Sequence, residues 1–436
     1  MLSSLFCYLW LQQQAVDPAR PPDTPPPPPP AETAPPPSDA GPPAAVPPTG
    51  AEPSTPEAPP APTPPTLGAD AQSPQSVRAP GSSLMNPALS LILDGSFGYY
   101  GWHADAFAAL GLPIAGDDPT DAVEGFGLQE LEIAATAAID PYLDGAVFLT
   151  IPNLEGIEIE EAYLVTTSLP ANLQIKAGSF RSQVGRNNTQ HLHVQNFTRR
   201  PLMMPLLFGI DGFRGPGAQV SVLLPLPWFS TLYGEAFSIA GSADPTVLAT
   251  FGGGTRLTPR NLTYAAALEQ FWELGETTSL LFGANFATGH AFDCMQAVPC
   301  DAAIGSGPRS YFYGGDLYFK WKPANQAQTY SSLQWTTEFF ARTLASGGPT
   351  EGAGYTEPVV QIARRFYLGA RFDLVGVPSG PSVPRRYGVA GSLTFAPSEY
   401  SRVRLYAQEL WGSGQSATVA FMQFEYSMGA HGAHPY

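Results

Sequence analysis

The sequence has few charged residues, and this scarcity narrows the classes of protein to which it can belong. Only 13% of its 436 residues are Asp, Glu, Lys or Arg, about half the share of roughly 25% that is usual in soluble domains. Basic residues are scarcer still, because 21 Lys and Arg stand against 37 Asp and Glu, which gives a net charge of −16. Nucleic acid is therefore not an expected partner, since phosphate binding requires a basic surface.

Cysteine is also rare, which limits the disulfides that the chain can form. Cys7 lies near the N-terminus, whereas Cys294 and Cys300 both lie in the segment DCMQAVPC. Their spacing is compatible with a small disulfide loop in an oxidising compartment. The alternative is two free, buried thiols.

Long apolar runs are absent as well. No stretch of 18 apolar residues follows Pro87, so no transmembrane helix is expected. The apolar run 2–11, LSSLFCYLWL, is too short to span a bilayer as a helix and is similar to the hydrophobic part of a secretory signal. We predict a signal peptide over 1–16, atypical because no basic residue precedes the run; the alternative is a different start codon.

Proline is concentrated in one segment of the chain. About half of the 48 prolines lie between Pro18 and Pro80, where the lack of backbone N–H groups prevents both helix and sheet. We predict a disordered, Pro-rich arm over 17–87, located in the periplasm. Two interpretations of this arm remain: a spacer that reaches peptidoglycan, or an inert linker.

Beyond the arm, apolar and polar residues alternate with a period of two, which is the pattern of β-strands. In 366–374, Phe366, Leu368 and Phe372 alternate with Arg371 and Asp373. Sixteen such runs occur, at about 90–100, 125–139, 143–151, 156–169, 172–185, 215–226, 229–240, 261–273, 276–288, 310–322, 330–344, 353–363, 365–376, 385–396, 400–411 and 417–429. A soluble sandwich would show similar alternation, so the pattern alone does not decide the fold.

The connections between these runs favour a membrane barrel. Segments 101–124, 186–214, 241–260 and 289–309 are long and all follow odd-numbered runs, whereas tight turns follow six of the even-numbered runs. Long loops on one rim, short turns on the other and an even strand number are typical of outer-membrane barrels. We therefore predict an all-β fold: a transmembrane antiparallel up-and-down β-barrel of about 16 strands over 88–436. The terminal Tyr436 is the expected signal for the barrel assembly machinery.

Several segments resemble a known family. They are FGLQELEIAATAAIDPYLDGA (126–146), GIEIEEAYLVTTSLPANLQIKAGSFRSQVGRNNTQHLH (156–193), GFRGPGAQVSVLLPLPW (212–228), ARRFYLGARFD (363–373) and GAHGAHPY (429–436). They resemble Gram-negative outer-membrane proteins known as zinc-regulated TonB-dependent receptors, which are similar to phosphate-selective porins. The resemblance implies a ligand or zinc receptor in the outer membrane. TonB-dependent receptors, however, have about 22 strands and a plugged lumen, so sixteen strands without a folded plug favour a channel.

Charged residues of both signs share the polar face of the predicted strands, and we expect them to line a water-filled lumen, because burying unpaired ions costs several kcal/mol each. The expected set is Glu130, Glu132, Glu158, Glu160, Lys176, Glu269, Asp316, Lys320, Lys322, Glu338, Arg371, Asp373, Arg402 and Arg404.

A second group of charges lies in and around the longest loop, and consists of Arg181, Arg186, Arg199, Arg200 and Arg214. Folded into the mouth, these arginines would favour anions and would oppose the acidic segment 88–162, which contains no Lys or Arg. The alternative is ordinary solvated surface charge.

Histidine offers a candidate metal site. His191 and His193 would share one face of an extended segment, and a third ligand such as His103 or His290 could come from another loop on the same rim. Zinc accepts such ligands, although ordinary loop histidines would show the same pattern. No other cofactor is expected.

Catalytic motifs of the types GxSxG, HExxH and GxxxxGK[ST] do not occur, so an enzyme is not expected. Three functions remain: a porin-like channel for small solutes or ions, a gated receptor, and a structural barrel whose arm contacts the cell wall. The sequence leaves open whether outer-membrane lipids surround a monomer or a trimer.

Overall fold

A computed structural model describes residues 87–100, 125–152, 156–209, 212–238, 262–290, 308–324, 330–380, 385–412 and 414–429. Within these ranges the chain forms sixteen strands and one short α-helix, α1 (Met203–Leu207). The strands are β1 (Ala88–Tyr100), β2 (Gly125–Asp140), β3 (Leu143–Pro152), β4 (Glu158–Thr166), β5 (Leu173–Arg181), β6 (Arg214–Leu223), β7 (Phe229–Phe237), β8 (Thr263–Glu273), β9 (Thr278–His290), β10 (Arg309–Trp321), β11 (Ser332–Leu344), β12 (Glu351–Ala363), β13 (Phe366–Val375), β14 (Arg386–Ser398), β15 (Ser401–Gly412) and β16 (Gln415–Gly429).

The strands form a closed antiparallel barrel. Each pairs with its neighbours in the chain, and β1 pairs with β16, with Leu93 opposite Tyr426, so the described sheet has no free edge. The all-β, sixteen-strand prediction is therefore confirmed. Four predicted runs extend three or four residues too far: the fourth strand ends at Thr166, the fifth at Arg181, the sixth at Leu223 and the seventh at Phe237.

The pleat separates two chemically different surfaces. On β13, Phe366, Leu368 and Phe372 are exposed on the outside, whereas Arg371 and Asp373 are buried inside. Because successive strand side chains point to opposite faces, the same separation recurs around the barrel. The outside is thus apolar and often aromatic, and the inside carries the charges.

Connections differ in length between the two rims. The described turns 141–142, 364–365 and 399–400 each contain two residues, and we call their rim the turn rim. The opposite rim, the loop rim, carries the connection between β5 and β6, residues 182–213, of which 210 and 211 are outside the described residues. None of the described helices has the length and apolar character needed to cross a bilayer.

Residues 182–213, here called the inserted loop, fold into the barrel instead of projecting from it. Most of their side chains are buried, and α1 contacts β12 and β13. The segment PLMMPLLF (201–208) is apolar without strand alternation, so it gains stability by packing against wall aromatics. Phe208 packs against Phe312 and Phe340, with ring centroids 5.6 and 5.4 Å apart.

Candidate functional site: the inserted loop and the barrel wall

An irregularity in β4 concentrates carboxylates on the inner wall. The pairing of β3 with β4 shifts between Phe148, opposite Glu161, and Leu149, opposite Ile159, so Glu160 is an extra residue in a β-bulge. Strict alternation would turn Glu160 and Glu161 to opposite faces. The bulge instead lets both side chains be buried at the inserted loop.

His191 of the inserted loop lies between these carboxylates and a third from β2. Its Nδ1 is 3.1 Å from Glu132 Oε2 and 3.1 Å from Glu160 Oε2, and its Nε2 is 2.9 Å from Glu161 Oε1. His193 Nδ1 is also 3.1 Å from Glu132 Oε2. One glutamate of the wall thus contacts both histidines of the loop.

The protonation of His191 reflects two opposed effects. Burial disfavours the charged imidazolium and would lower the pKa. The carboxylates of Glu160 and Glu132 outweigh burial and hold the pKa of His191 well above its usual value. At neutral pH the imidazolium therefore compensates part of the negative charge of the wall.

The predicted ligand set for these histidines is partly corrected. His191 precedes a short 3₁₀ turn, Leu192–Val194, rather than lying in an extended segment. Among the described residues, the third group near the two rings is Glu132 and not His290, which ends β9. His103 lies outside the described residues.

More acidic groups surround this cluster. Glu130, Glu132 and Glu160 place carboxylate oxygens within 4.8 Å of one another. The guanidinium of Arg181 pairs with Glu160, and its backbone N donates to Glu161 Oε2 at 3.0 Å. The acidic segment 88–162 and the arginines in and around the loop are thus partly paired along neighbouring strands rather than across the lumen.

A second contact region joins the loop to β13. Arg371 donates from Nη1 to the backbone oxygen of Arg199 at 2.7 Å and from Nε to Asp373 Oδ2 at 3.1 Å. Asp373 Oδ1 accepts the backbone N–H of Leu202 at 3.0 Å. Arg371 and Asp373 therefore both bind the loop backbone, the arginine through a carbonyl oxygen and the aspartate through an N–H group.

Arginines of β15 continue this network. Arg404 donates from Nη1 to the backbone oxygen of Gln195 and from Nη2 to Glu425 Oε2 at 3.1 Å. Arg402 donates to the same carboxylate from Nε at 2.7 Å. Glu425 thus balances the charge of both arginines, and Arg404 also binds the loop.

The opposite side of the loop contacts β9, β10 and β11. Asn285 donates to Asp316 Oδ2 at 2.7 Å and accepts the backbone N–H of Gly185 at 3.2 Å. Glu338 Oε1 accepts the backbone N–H of Asn187 at 2.7 Å. Gly185 has φ +82° and a Cβ there would lie 2.9 Å from Glu338 Oε2, so glycine permits this close approach.

A small polar cavity of about 30 Å³ remains between the loop and β10–β12. The guanidinium of Arg186 lies over the ring of Tyr318, 3.8 Å from its centroid. The cavity thus has an arginine from the loop and a glutamate, Glu357, from the wall. Its lining comprises Arg186, Gln190, Val194, Asn196, Tyr318, Gln334, Thr336, Tyr355 and Glu357.

Three other residues predicted to line the lumen lie on β4, β5 and β10. Lys176 of β5 lies over the ring of Tyr163, with Nζ 4.5 Å from the centroid, and Lys320 shares the inner face of β10 with Asp316. Glu158 begins β4, and its half-exposed side chain is 3.7 Å from Arg214 Nη2.

The other loop arginines lie near β15 or the loop itself. Arg199 donates to Gln408 Oε1 at 3.4 Å, and Arg200 donates to the backbone oxygen of Gln190 at 3.5 Å. Arg186 belongs to the inserted loop, because the preceding strand ends at Arg181. It faces β10–β12, so the loop arginines do not form one cluster against the acidic segment 88–162.

The lumen charges are less solvated than the sequence suggested. Arg371, Asp373, Arg404 and Glu338 are at most 2% exposed. The reason is the inserted loop, whose backbone groups and side chains bind these residues in place of water. Such pairing offsets the cost of burial that sequence reasoning assigned to unpaired ions.

Sequence reasoning missed several groups of this site. The expected lumen set contains Glu160 but not Glu161, whereas the bulge lets both be buried, and a bulge carries no clear sequence signal. Asn285 and Glu357 were also missed, although Glu357 is a lone charge in the apolar segment EPVVQIA. Cys294, Cys300, Tyr436 and the segment 17–86 lie outside the described residues.

No family model matches the chain. A protein of Aquifex aeolicus (strain VF5), described only as uncharacterized, is 29% identical over 405 residues, which cover 85% of this chain and 83% of the relative.

Solved structures share the fold at low identity. A loop L8 deletion mutant of OmpT, an outer membrane protein of Vibrio cholerae, has a TM-score of 0.52 at 10% identity, covering 78% of this chain and 99% of that one. The anion-selective porin from Comamonas acidovorans has a TM-score of 0.51 at 10% identity, with the same coverage. A trimer form of in-vitro folded OmpT also has a TM-score of 0.51 at 10% identity, again with the same coverage.

These likenesses establish a porin-like barrel fold. They do not support the TonB-dependent receptor label that the sequence resemblance implied. The strand count explains the difference, because the described barrel has sixteen strands and TonB-dependent receptors have about 22.

Proposed function

We propose that this protein is an outer-membrane channel that passes small ions or solutes through its charged lumen. The observation that carries the proposal is the division of one closed sheet into an apolar outside and a charged inside. A closed barrel satisfies its backbone groups without water, as lipid requires, and sixteen strands enclose more space than wall side chains fill.

The proposed location is the outer membrane of a Gram-negative bacterium. The outer-membrane protein and the porin that share the fold support it. In this arrangement outer-membrane lipids contact the apolar outside, the Pro-rich arm lies in the periplasm beside peptidoglycan, and Tyr436 directs assembly of the barrel. Both a monomer and a trimer are compatible with the proposal, and conduction requires neither catalysis nor a cofactor.

The proposed route runs between the inserted loop and the wall formed by β10–β12. The polar cavity at Arg186 and Glu357 lies on this side, and the narrowest charged part of a pore controls the electrostatic barrier for ions. The balance of positive charge from Arg186 and negative charge from Glu357 would set the preference for anions or cations. Because the loop occupies much of the lumen, we expect a small conductance.

A gated receptor is a second candidate, and one observation favours it. The loop is hydrogen-bonded to β13 through Arg371 and to β11 through Glu338, so a larger solute could pass only if these bonds opened. Under this candidate a scarce ligand, a zinc complex among the options, would bind before the loop moved.

Planar-bilayer recording of the purified full-length chain tests the channel. We expect stepwise conductance that increases when residues 186–209 are replaced by a short Gly–Ser linker, because the linker removes the obstruction. Heat-modifiable migration on gels verifies that both proteins are folded. If neither protein conducts, the channel proposal fails and the structural barrel remains. A wild type that is silent while the linker variant conducts would favour the gated receptor.

A further inference from the structure

We propose that Glu132, His191 and His193 form a binding site for a divalent transition-metal ion of the zinc type. The site lies where the inserted loop meets the inner face of β2. It does not depend on whether the barrel conducts ions.

The three side chains come from separate segments of the chain. His191 and His193 belong to the loop, and Glu132 belongs to the wall, 59 residues from His191 in the chain. Glu132 Oε2 lies 3.1 Å from Nδ1 of each imidazole. Ligands bound tetrahedrally at 2.0–2.2 Å are roughly 3.4 Å apart, so the three groups need only small shifts to surround an ion.

The donor types select the class of metal. Two imidazoles and a carboxylate suit zinc and similar transition metals, whereas calcium and magnesium prefer oxygen ligands alone. Glu160 Oε2, 3.1 Å from His191 Nδ1, can complete four ligands. The carboxylate of Glu132 adds negative charge that a divalent cation would balance.

An outer contact fixes the orientation of the His191 ring. The Nε2 of His191 is 2.9 Å from Glu161 Oε1 and can donate its hydrogen there, while an ion bound between Nδ1, Glu132 and Glu160 would take the place of the hydrogen on Nδ1. Metal-binding histidines usually donate their other N–H to a carboxylate or carbonyl in this way, which fixes the ring and its tautomer. Here the acceptor is the carboxylate of Glu161, which the β-bulge at Glu160 lets be buried beside the loop.

Metal binding would have a structural consequence. The ligands join the loop to the wall near β2 and β4, whereas Arg371 and Glu338 hold the loop elsewhere. A bound ion would therefore fasten a third part of the loop. We expect the metal to protect the loop from proteolysis in detergent.

The test uses the full-length protein, folded in detergent and freed of metal with a chelator. Isothermal titration with Zn²⁺ should show one ion per chain in the wild type. His191→Ala and His193→Ala should abolish this binding, whereas His290→Ala, which alters a histidine at the end of β9, should bind as the wild type does. Absence of binding in the wild type, or binding that survives both variants, overturns the proposal.

Two further measurements remain decisive if the alanine variants do not fold. Glu161→Gln should weaken zinc binding about 10- to 100-fold, the usual effect of losing an outer-shell partner, and unchanged affinity would contradict the role given to Glu161. X-ray absorption of the zinc-loaded wild type should show two imidazole ligands and oxygen. Sulfur ligands, or oxygen alone, would place the ion elsewhere and refute the site.

Discussion

Arg371 of β13 donates a hydrogen bond from Nη1 to the backbone oxygen of Arg199, across 2.7 Å. A guanidinium of the wall thus binds the main chain of the loop, and the ring of Phe197 lies 4.8 Å from the same group. Since the bond involves backbone, substitution of the Arg199 side chain would not remove it. A test of this contact must therefore substitute Arg371.

Arg371→Ala should destabilise the barrel and loosen the inserted loop. The substitution removes the partner of Asp373, which is buried, and a buried charge that loses its partner typically costs about 3–5 kcal/mol. Urea unfolding in detergent measures this loss, and planar-bilayer recording should show noisier, larger openings. Arg365→Ala, in the exposed turn between β12 and β13, is the control. Equal stability of the two variants would refute the anchoring role of Arg371.

Replacing Arg186, Arg199 and Arg200 together by Ala should shift the reversal potential towards that of a cation-selective pore, without abolishing conductance. Each substitution removes a positive charge from the loop while Glu357 stays in the wall of the cavity. Recording in a salt gradient checks the shift. Arg385→Ala, at an exposed position before β14, should leave it unchanged. A shift towards anion selectivity would contradict the proposed route.

Phe208→Ala should loosen the loop without changing its charge. Phe208 packs against Phe312, Phe340 and Phe213, and truncation of a buried Phe commonly costs about 3–5 kcal/mol. Limited proteolysis should then cut residues 182–213 faster than in the wild type. Phe366→Ala, which alters an exposed outer side chain, should not affect that rate. Equal cleavage in all three proteins would show that this contact does not hold the loop.

The purified full-length chain should give a β-rich circular dichroism spectrum. It should also migrate differently on gels before and after boiling, because hydrogen bonds close the barrel between β1 and β16. A predominantly helical spectrum, or recovery of the protein from the cytosol, would contradict the membrane barrel.

Cys294 and Cys300 should form a disulfide in the segment between β9 and β10. Mass spectrometry of peptides prepared without reduction should find the two residues linked, and reduction should add two hydrogens. Detection of both thiols free would refute this prediction, which rests on their spacing alone.

The strands could be predicted because their pattern is local. Alternation along β13 and β16 places Arg371, Asp373 and Glu425 on the inner face, and turn lengths separate the rims. The path of the inserted loop could not be predicted, because its contacts join distant parts of the chain. His191 meets Glu132 across 59 residues and Asn187 meets Glu338 across 151, and no periodicity encodes such pairs.

The bulge in β4 also makes one position tolerant of a change in chain length. Glu160 has no partner of its own on β3, so its deletion would leave Phe148 opposite Glu161 and Leu149 opposite Ile159. An ordinary deletion within a strand reverses the faces of every residue on one side of it. At Glu160 the barrel would lose one carboxylate and keep its register, so related barrels could differ here by a single residue without refolding the sheet.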